Sequence, residues 1–275
     1  MKKKLLGLTL AVVVLAGLAA CSKKEAAKSE DQDWAKIEKA GKIVIGVDET
    51  FVPMGFRNDK QELVGFDIDL AKAVTAELGI KAEFQPIDWS MKETELNNGT
   101  IDLIWNGYTV TAERQEKVGF TKPYLKNEQV VVTLKDNKIN RYSDLKGKIL
   151  GAQEGSSGAY NVETQPEVLA DLIKDKQAVL YPTFVETFMD LNNGRIDAFI
   201  IDSVFAEYYI SKEKDPSKYV VLPSEFKEED FAVGVRKDDS ETLAKINAGL
   251  KALIDNGKAK EISQEWFGED RVLAQ

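Results

Sequence analysis

The sequence predicts an α/β protein made of two similar lobes, and two patterns lead to this prediction. Apolar strand-like runs alternate with amphipathic helix-like runs along the chain, as in parallel sheets covered by helices. The segment ELNNGTID at 95–102 returns as DLNNGRID at 190–197, and a looser match places Gly41-Lys42-Ile43 on Gly147-Lys148-Ile149. We therefore expect a duplicated plan in which each lobe is a mixed, mostly parallel sheet flanked by helices. A chance similarity between two Asn-Gly turns is the alternative.

The first lobe is predicted to comprise 34–127 together with 231–275. Lys42–Val47 is apolar and Lys81–Ile87 alternates apolar with polar residues, so both are predicted strands. Asp67–Leu78 has acids in its first turn and a glycine directly after it, which favours a helix. Strand, helix and strand in this order are typical of one half of an α/β lobe.

The second lobe is predicted to comprise 128–230. Its predicted strands are short, mainly apolar runs: Gln129–Leu134, Lys148–Ala152, Gln177–Tyr181, Ala198–Ile201 and Tyr219–Leu222. The chain must pass twice between the lobes, and Asn127–Gln129 and Asp230–Phe231 are the predicted crossings. Two crossing strands form a hinge, which lets two lobes close around a ligand.

The composition is that of an ordinary globular chain and excludes several kinds of chemistry. The 275 residues include no histidine and one cysteine, so catalysis by histidine, metal sites that need histidine and intrachain disulfides are excluded. The formal net charge is −9, and beyond residue 20 the chain has 34 Lys and Arg against 46 Asp and Glu. This acidity argues against nucleic acid as a partner. We expect no metal and no cofactor, and no Walker loop for ATP is present.

The first twenty residues, 1–20, are predicted to be a signal peptide. Three lysines precede an apolar run, Leu5–Leu18, which is too short and too rich in small residues for a membrane span. The run ends in Leu18-Ala19-Ala20-Cys21 and resembles the signal of bacterial lipoproteins, in which the cysteine is lipidated. An ordinary secretory signal with an incidental cysteine is the alternative. Residues 21–33 then predict a flexible tether that holds the folded part at the outer face of a cell membrane.

A polar turn and a capped helix follow the predicted strand at 102–105. Gly107 lets the backbone approach a ligand closely, and Thr109 adds a hydroxyl. Thr111 is the predicted N-cap of the helix, and Arg114 lies one turn inside it. The planar guanidinium of arginine binds a carboxylate through two parallel hydrogen bonds. The stretch therefore predicts a carboxylate receptor, and a surface arginine that pairs with a nearby acid is the alternative.

Polar residues also follow the other predicted strands. Asp48 comes after the first strand, and Asp202 after a later apolar strand. Gly155–Gly158 form a Gly/Ser loop at the start of a helix, where free N–H groups bind anions. Under the duplication, Gly107 falls on Asp202 and Asp48 falls on Glu154. Because open α/β sheets bind ligands at the carboxyl ends of their strands, we expect these loops to line one cleft.

Taken together, these residues resemble the extracytoplasmic solute-binding proteins of polar amino-acid ABC importers, a group with glutamine, cystine and basic amino-acid binders. The motifs lie within about Ile43–Phe267: Asp48-x-x-Phe51-x-Pro53, Gly65-Phe66-Asp67-Ile68-Asp69-Leu70, Gly107-x-Thr109-x-Thr111-x-x-Arg114, Gly155–Gly158, Asp202 and Trp266-Phe267-Gly268. The resemblance implies a type II periplasmic-binding-protein fold with two hinge crossings. It further implies a monomer without catalytic residues, whose partners are an amino acid and an ABC permease with a separate ATPase.

The resemblance also implies roles for individual residues. The ligand α-carboxylate would be bound by Arg114 and the backbone at Ser156 and Ser157. The α-ammonium would be bound by Asp202, Gly107 and Thr109. The ligand side chain would lie between Phe51 and Trp89, with Asp48 at its polar end. Gln153 stands where glutamine binders of this group carry a lysine, so the identity of the amino acid stays open, as does the direction of Glu154.

For the separate residues, structural roles are the alternatives. Phe51 and Trp89 can be core aromatics, and Asp48 and Asp202 can be helix N-caps. For the whole chain, one alternative is a dehydratase of cyclic amino acids on the same fold, with Glu154 or Asp48 as acid or base. Another is a surface adhesin that uses the scaffold and binds no small ligand, since a fold does not determine a function.

Overall fold

The computed structural model describes residues 32–275, so the predicted signal peptide, Cys21 and all but the end of the predicted tether lie outside the described residues. The strands are β1 (Lys42–Val47), β2 (Thr50–Phe51), β3 (Gly55–Arg57), β4 (Leu63–Val64), β5 (Lys81–Pro86), β6 (Leu103–Ile104), β7 (Val118–Phe120), β8 (Leu125–Asn127), β9 (Gln129–Leu134), β10 (Leu150–Gln153), β11 (Val179–Tyr181), β12 (Ala198–Asp202), β13 (Tyr219–Leu222), β14 (Glu229–Phe231) and β15 (Gly234–Arg236). The helices are α1 (Gln32–Ala40), α2 (Phe66–Glu77), α3 (Lys92–Asn98), α4 (Ala112–Lys117), α5 (Ser157–Thr164), α6 (Phe184–Asn192), α7 (Ser203–Lys212), α8 (Ser240–Asp255) and α9 (Lys258–Phe267). No helix within 32–275 combines the length and apolar character needed to cross a membrane.

Two five-stranded sheets with the same connectivity form the two lobes. The order is β5-β1-β6-β15-β7 in the first and β11-β10-β12-β9-β13 in the second. In each sheet the first three strands are parallel, and the fourth is antiparallel to both of its neighbours. Four of five strands therefore run one way, which confirms the predicted mixed, mostly parallel sheets and the two-lobed α/β class.

The repeated Asn-Asn-Gly segments occupy equivalent places in the two lobes. Gly99 and Gly194 both adopt left-handed backbone angles, with φ of 84° and 68°, where a side chain would be strained. The aspartates that follow these glycines each accept a backbone N–H group. Asp102 accepts the N–H of Val44 at 3.0 Å, and Asp197 accepts the N–H of Ile149 at 2.8 Å. The sequence repeat is therefore a repeat of structure, not a chance similarity.

The chain crosses between the sheets in two adjacent strands, β8 and β14, which pair antiparallel. Each crossing leads directly into the reversed strand of the next sheet, β9 after β8 and β15 after β14. The C-terminal residues join the same ribbon, because Val272 bridges to Leu125 and the N–H of Leu273 donates to the carbonyl of Tyr124 at 3.0 Å. Strands β14 and β15 follow each other closely in the chain and are separated by Ala232 and Val233.

Two features of the first lobe have no counterpart in the predicted elements. The small sheet β2-β3-β4 is built from strands of two or three residues, which are too short to show a period in the sequence. Helix α9 places Phe267 against Phe66, with ring centroids 4.9 Å apart, and the indole of Trp266 donates to Asp69 at 3.0 Å. These contacts join the end of the described chain to the core beside α2.

Candidate functional site

A cavity between the two sheets brings together all ten residues that the sequence assigned to the ligand. The lining residues are Asp48, Phe51, Trp89, Asn106, Gly107, Thr109, Arg114, Gln153, Ser156, Ser157 and Asp202. The cavity encloses about 10 Å³, enough for about one water molecule. Asn106 is the one lining residue that the sequence analysis did not name.

The strand ends explain why these residues converge. Asp48 follows β1, Asn106 and Gly107 follow β6, Gln153 ends β10 and Asp202 ends β12. In both sheets these are parallel strands, so their carboxyl ends lie at the same edge. The two edges face each other because the crossing strands hold the lobes side by side. This is the place where open α/β sheets bind ligands.

Arg114 is held from both lobes. Thr111 caps α4 as predicted and accepts the N–H of Arg114 at 3.1 Å. The guanidinium donates to the carbonyl of Thr109 at 2.8 Å and, across the cleft, to the carbonyl of Gly155 at 2.8 Å. It also lies over the ring of Tyr108, 4.6 Å from its centroid. Each terminal nitrogen of the guanidinium uses one of its two N–H groups in these contacts. Within residues 32–275, the second N–H group of each nitrogen has no hydrogen-bond partner.

A second buried cation lies beside Arg114 and was not predicted. The ammonium of Lys92 donates to the carbonyl of Trp89 at 3.0 Å and to the carbonyl of Gly155 at 2.9 Å. The carboxylate of Glu93 lies 3.2 Å from Lys92 and 3.6 Å from Arg114. Burial and, after it, the charge of Arg114 together lower the pKa of Lys92 to about 7. Beside the cavity, two basic side chains therefore share one carboxylate.

Asp202 lies at the N-cap position of α7, but its side chain makes no capping hydrogen bond. Its Oδ1 instead accepts from the amides of Asn127 at 2.6 Å and Gln129 at 2.7 Å. Burial raises the pKa of Asp202 to about 7, and the neighbouring charge of Glu229 contributes to the rise. The alternative of a plain N-cap is wrong, because the carboxylate turns into the cavity.

Asp48 and Gln153 meet across the cleft. The amide of Gln153 donates to Asp48 Oδ2 at 2.8 Å. Asp48 Oδ1 accepts the N–H and the hydroxyl of Thr50 at 2.9 and 2.6 Å, which is a local turn and not a helix cap. Burial raises the pKa of Asp48 above its ordinary value. Glu154 is exposed and does not line the cavity, so Gln153 occupies the place that the duplication assigned to Glu154.

The two predicted aromatic residues contact different neighbours. Phe51 packs on Phe184 and Phe205 of the second lobe, with ring centroids 5.8 and 5.4 Å apart. Trp89 packs edge-on against Tyr108 at 6.0 Å. Gly107 makes the approach of Phe51 possible, because a Cβ at its φ of +58° would lie 2.6 Å from the Phe51 ring.

The polar groups around Gly107 and Ser156 are partly engaged with the protein itself. Asp67 is fully buried and accepts the N–H of Gly107 at 2.7 Å and the hydroxyl of Tyr124 at 3.0 Å. Burial raises the pKa of Asp67 to about 7. The N–H and hydroxyl of Ser156 both donate to the carbonyl of Gln153. The first free N–H of the α5 terminus is therefore that of Ser157.

Glu229, like Lys92, lies next to the lining residues of the cavity and was not predicted from the sequence. It lies on β14, in the second crossing, and contacts both lobes through Thr109 at 3.3 Å and Ser157 at 3.2 Å. In the sequence it belongs to the charged run Lys227-Glu228-Glu229-Asp230, which has no local signal that distinguishes the half-buried Glu229 from its exposed neighbours Lys227 and Glu228. Within residues 32–275 no group of three His, Cys, Asp or Glu side chains could hold a metal ion.

Known proteins resemble this chain over almost its whole length. The model of the bacterial extracellular solute-binding proteins, family 3, matches residues 43–269. The arginine-binding extracellular protein ArtP of Bacillus subtilis is 30% identical over 97% of this chain and 98% of its own. A crystal structure of an ABC uptake transporter substrate-binding protein from Streptococcus pneumoniae, with bound histidine, is 50% identical, covers 87% of this chain and 97% of its own, and has a TM-score of 0.85.

A further solved structure bears on the enzyme alternative. An ancestral amino-acid-binding protein, described as a precursor of cyclohexadienyl dehydratase, is 32% identical over 85% of this chain and 98% of its own, with a TM-score of 0.74. The family and these neighbours are solute-binding proteins with the type II periplasmic-binding-protein fold. This chain therefore belongs to the bacterial extracellular solute-binding proteins of family 3.

Proposed function

We propose that this chain captures an amino acid between its two lobes and delivers it to an ABC permease that is driven by a separate ATPase. One observation carries the proposal: a buried arginine and a buried carboxylate line the same cavity, Arg114 from the first lobe and Asp202 from the second. An amino acid is a zwitterion, and a buried charge needs an opposite partner. The cavity offers one partner for each charge.

The free hydrogen-bonding groups of the site indicate which end of the ligand each residue binds. Arg114 binds the α-carboxylate through its two remaining N–H groups, with the N–H of Ser157 at the start of α5 as the third donor. Ser156 supports this loop more than it contacts the ligand. Asp202 Oδ2, the carbonyl of Gly107 and the hydroxyl of Thr109 accept from the α-ammonium. These roles assign a donor or acceptor to each end of the zwitterion.

The side chain of the ligand is placed between Phe51 and Trp89, with Asp48 and Gln153 at its far end. Asp48 is an acceptor with a negative charge, and Gln153 is neutral. We therefore propose a ligand with a cationic or hydrogen-bond-donating side chain, and arginine and histidine as the first candidates. The arginine-binding and histidine-bound relatives support this choice.

Ligand entry requires the lobes to separate. The cavity of about 10 Å³ is far smaller than the roughly 300–1,000 Å³ of small-molecule sites. Bending at the crossings would separate lobe 1, 34–127 with 231–275, from lobe 2, 128–230. We expect solution scattering to give a smaller radius of gyration at ligand saturation than without ligand, because the lobes then close. An unchanged radius contradicts the hinge.

We further propose that the chain has no catalytic activity of its own. Of the two acids that could serve a dehydratase, Glu154 is exposed and Asp48 is held by Thr50 and Gln153. Among the contacts within residues 32–275, neither carboxylate is hydrogen-bonded to a second acid or base that could relay a proton. Incubation with prephenate or arogenate tests this, since formation of a dehydrated product contradicts it.

Attachment to the membrane is proposed from Cys21 alone, since this residue lies outside the described part of the chain. Cys21→Ala should release the protein from membranes or block its processing, because the thiol carries the lipid. A mature-size mutant that still fractionates with membranes contradicts the anchor. We also propose a monomer, and light scattering after size exclusion checks this.

A thermal-shift screen with the twenty amino acids and cystine tests the function as a whole. We expect one or a few of them to raise the melting temperature, because ligand binds only the folded state. Calorimetric titration then ranks these ligands, with arginine and histidine expected among the tightest. A complete absence of shifts would favour the adhesin alternative and overturn the proposed function.

A further inference from the structure

We infer that Glu229 is a positioning residue of the ammonium pole, and that the Asp202–Glu229 pair releases one proton to solvent when an amino acid binds. This inference rests on the proposed capture of an amino acid and adds a residue and a proton step to it. Glu229 does not line the cavity, so it acts on the ligand through other groups.

The contacts of Glu229 connect both lobes and both crossings. Its Oε2 accepts from the amides of Gln129 at 3.0 Å and Asn127 at 3.2 Å, and its Oε1 accepts from the amide of Asn161 at 2.7 Å. Two of these amides, on Gln129 and Asn127, also donate to Asp202 Oδ1 at 2.7 and 2.6 Å. Two carboxylates are thus bridged by two shared amide groups.

The hydroxyls beside Glu229 acquire a fixed direction. Thr109 Oγ1 and Ser157 Oγ lie 3.3 and 3.2 Å from Glu229 Oε2 and 3.1 Å from each other. A hydroxyl has one proton and two lone pairs, whereas a carboxylate only accepts. When both hydroxyls donate to Glu229, their oxygens are left to accept: Ser157 Oγ takes the amide of Gln129 at 3.1 Å and keeps one lone pair, and Thr109 Oγ1 keeps both for the ligand. Glu229 therefore turns Thr109 and Ser157 into acceptors, which suits an ammonium with three N–H groups.

Few positive charges face the Asp202–Glu229 pair. Within residues 32–275, Arg114 is the cation that faces Asp202, and it is engaged with two carbonyls. The side chains packed on the pair from the crossings, β9 and α5 are neutral amides and hydroxyls. Lys126, the cation on the crossing itself, is exposed and pairs with Glu228 at 2.9 Å and Asp230 at 2.8 Å.

Proton release follows from this shortage. Burial and the charge of Glu229 raise the pKa of Asp202 to about 7, so near neutral pH the pair holds a proton for part of the time. An ammonium replaces that proton as the compensating charge, and the proton leaves for the buffer. Below pH 7 the affinity should fall by about tenfold per pH unit, because the proton then competes with the ligand.

The experiment compares wild type, Glu229→Gln and the matched control Glu228→Gln, which removes an exposed neighbouring carboxylate. L-arginine and L-glutamine serve as probes because neither side chain titrates between pH 5 and 8. Calorimetry at pH 6.5 in buffers of different ionisation enthalpy counts the protons released. Wild type and the control should release one-half to one proton. Glu229→Gln should release only about a quarter of a proton, and the pH below which its affinity falls should move down by about one pH unit, because Asp202 loses its like-charged neighbour.

A second readout does not depend on a ligand. A carboxyl whose pKa is raised by folding stabilises the fold at low pH, and this contribution is lost as pH rises through the raised pKa. From pH 5 to 8, Glu229→Gln should therefore lose less thermal stability than Glu228→Gln. Equal pH dependence of binding and of stability in the two variants overturns the inference. If neither probe binds wild type, the proposed ligand class fails, and the stability comparison still decides the role of Glu229.

Discussion

The two lobes share one connectivity but bring different functional groups to the cleft. The strands β6 and β12 hold equivalent positions in their sheets, and the sequence repeat matches Gly107, which follows β6, with Asp202, which ends β12. The first lobe supplies the buried basic residues Arg114 and Lys92, and also the carboxylate of Asp48. The second supplies Asp202 and a helix N-terminus at Ser157.

The duplicated plan thus determines where the strands end, and a few substitutions at those ends determine which polar and charged groups face the cleft. Both lobes keep an aspartate, Asp102 and Asp197, that accepts a backbone N–H at or next to the first parallel strand of its sheet. The cleft residues are free to differ, since they serve a ligand and not the sheet. A zwitterion requires this asymmetry, because its two ends carry opposite charges.

The largest effect should come from the cation of the first lobe. Arg114→Ala leaves the ligand carboxylate without its partner, and removing one partner of a buried pair costs about 3–5 kcal/mol, or two to four decades in affinity. Calorimetric titration with the tightest amino acid measures it. Lys117→Ala, which changes an exposed cation on the same helix, is the control. Near-native affinity of Arg114→Ala in a folded protein would remove the basis of the whole site.

The carboxylate of the second lobe should matter almost as much. Asp202→Asn keeps the shape but removes the charge opposite the ammonium, so affinity should fall at least a hundredfold, an effect of roughly 3 kcal/mol. Asp136→Asn, an exposed change in the same lobe, should bind like wild type. The melting temperature of Asp202→Asn without ligand should not fall, because the substitution removes a buried charge. A loss of less than tenfold would show that the lobes do not divide the charges of the ligand.

A smaller effect is expected from Asp48, which concerns the choice of ligand more than its capture. Asp48→Asn removes a negative charge at the far end of the cavity, so affinity for arginine should fall by about tenfold, with little change for glutamine. Competition titrations with both amino acids give the ratio. Asp59→Asn, on an exposed turn of the same lobe, controls for net charge. An equal loss of affinity for both ligands would show that Asp48 maintains the structure of the site and does not contact the ligand side chain.

The smallest effect should come from Glu154, the residue that the duplication matched to Asp48. Glu154 is exposed, and its charge is screened by solvent. Glu154→Gln should change affinity by less than about twofold, measured in the same titrations. A tenfold change in affinity would mean that Glu154 has the same place in the site of lobe 2 as Asp48 has in lobe 1.

Local patterns were sufficient to predict much of this molecule. The cap at Thr111, the strand ends before Asp48 and Asp202, and the Asn-Gly turns are encoded within a few residues of one another. The ligand residues follow from these, because parallel strand ends must share an edge. Their roles toward a ligand remain predictions.

The residues that sequence reasoning missed are defined by distant contacts. Lys92 reaches Gly155 from 63 positions away, and Glu229 reaches Gln129 from 100. Neither stands out locally, since Lys92 begins an ordinary polar helix and Glu229 lies in a charged run. Burial of a charge is a property of the assembled lobes, and no period or motif reports it.

The order of strands in the first sheet also sets an order of assembly. Strand β15 lies between β6 and β7, and its partner Ile104 is about 130 residues away from Gly234 in the chain. All strands of the second sheet lie between Gln129 and Leu222. Closing a longer loop costs more entropy and slows pairing, so lobe 2 should fold first and lobe 1 should finish on it. Pulse-labelled amide exchange during refolding should show β9–β13 protected before β15, and every newly made chain would pass through a stage with one finished lobe and one open sheet.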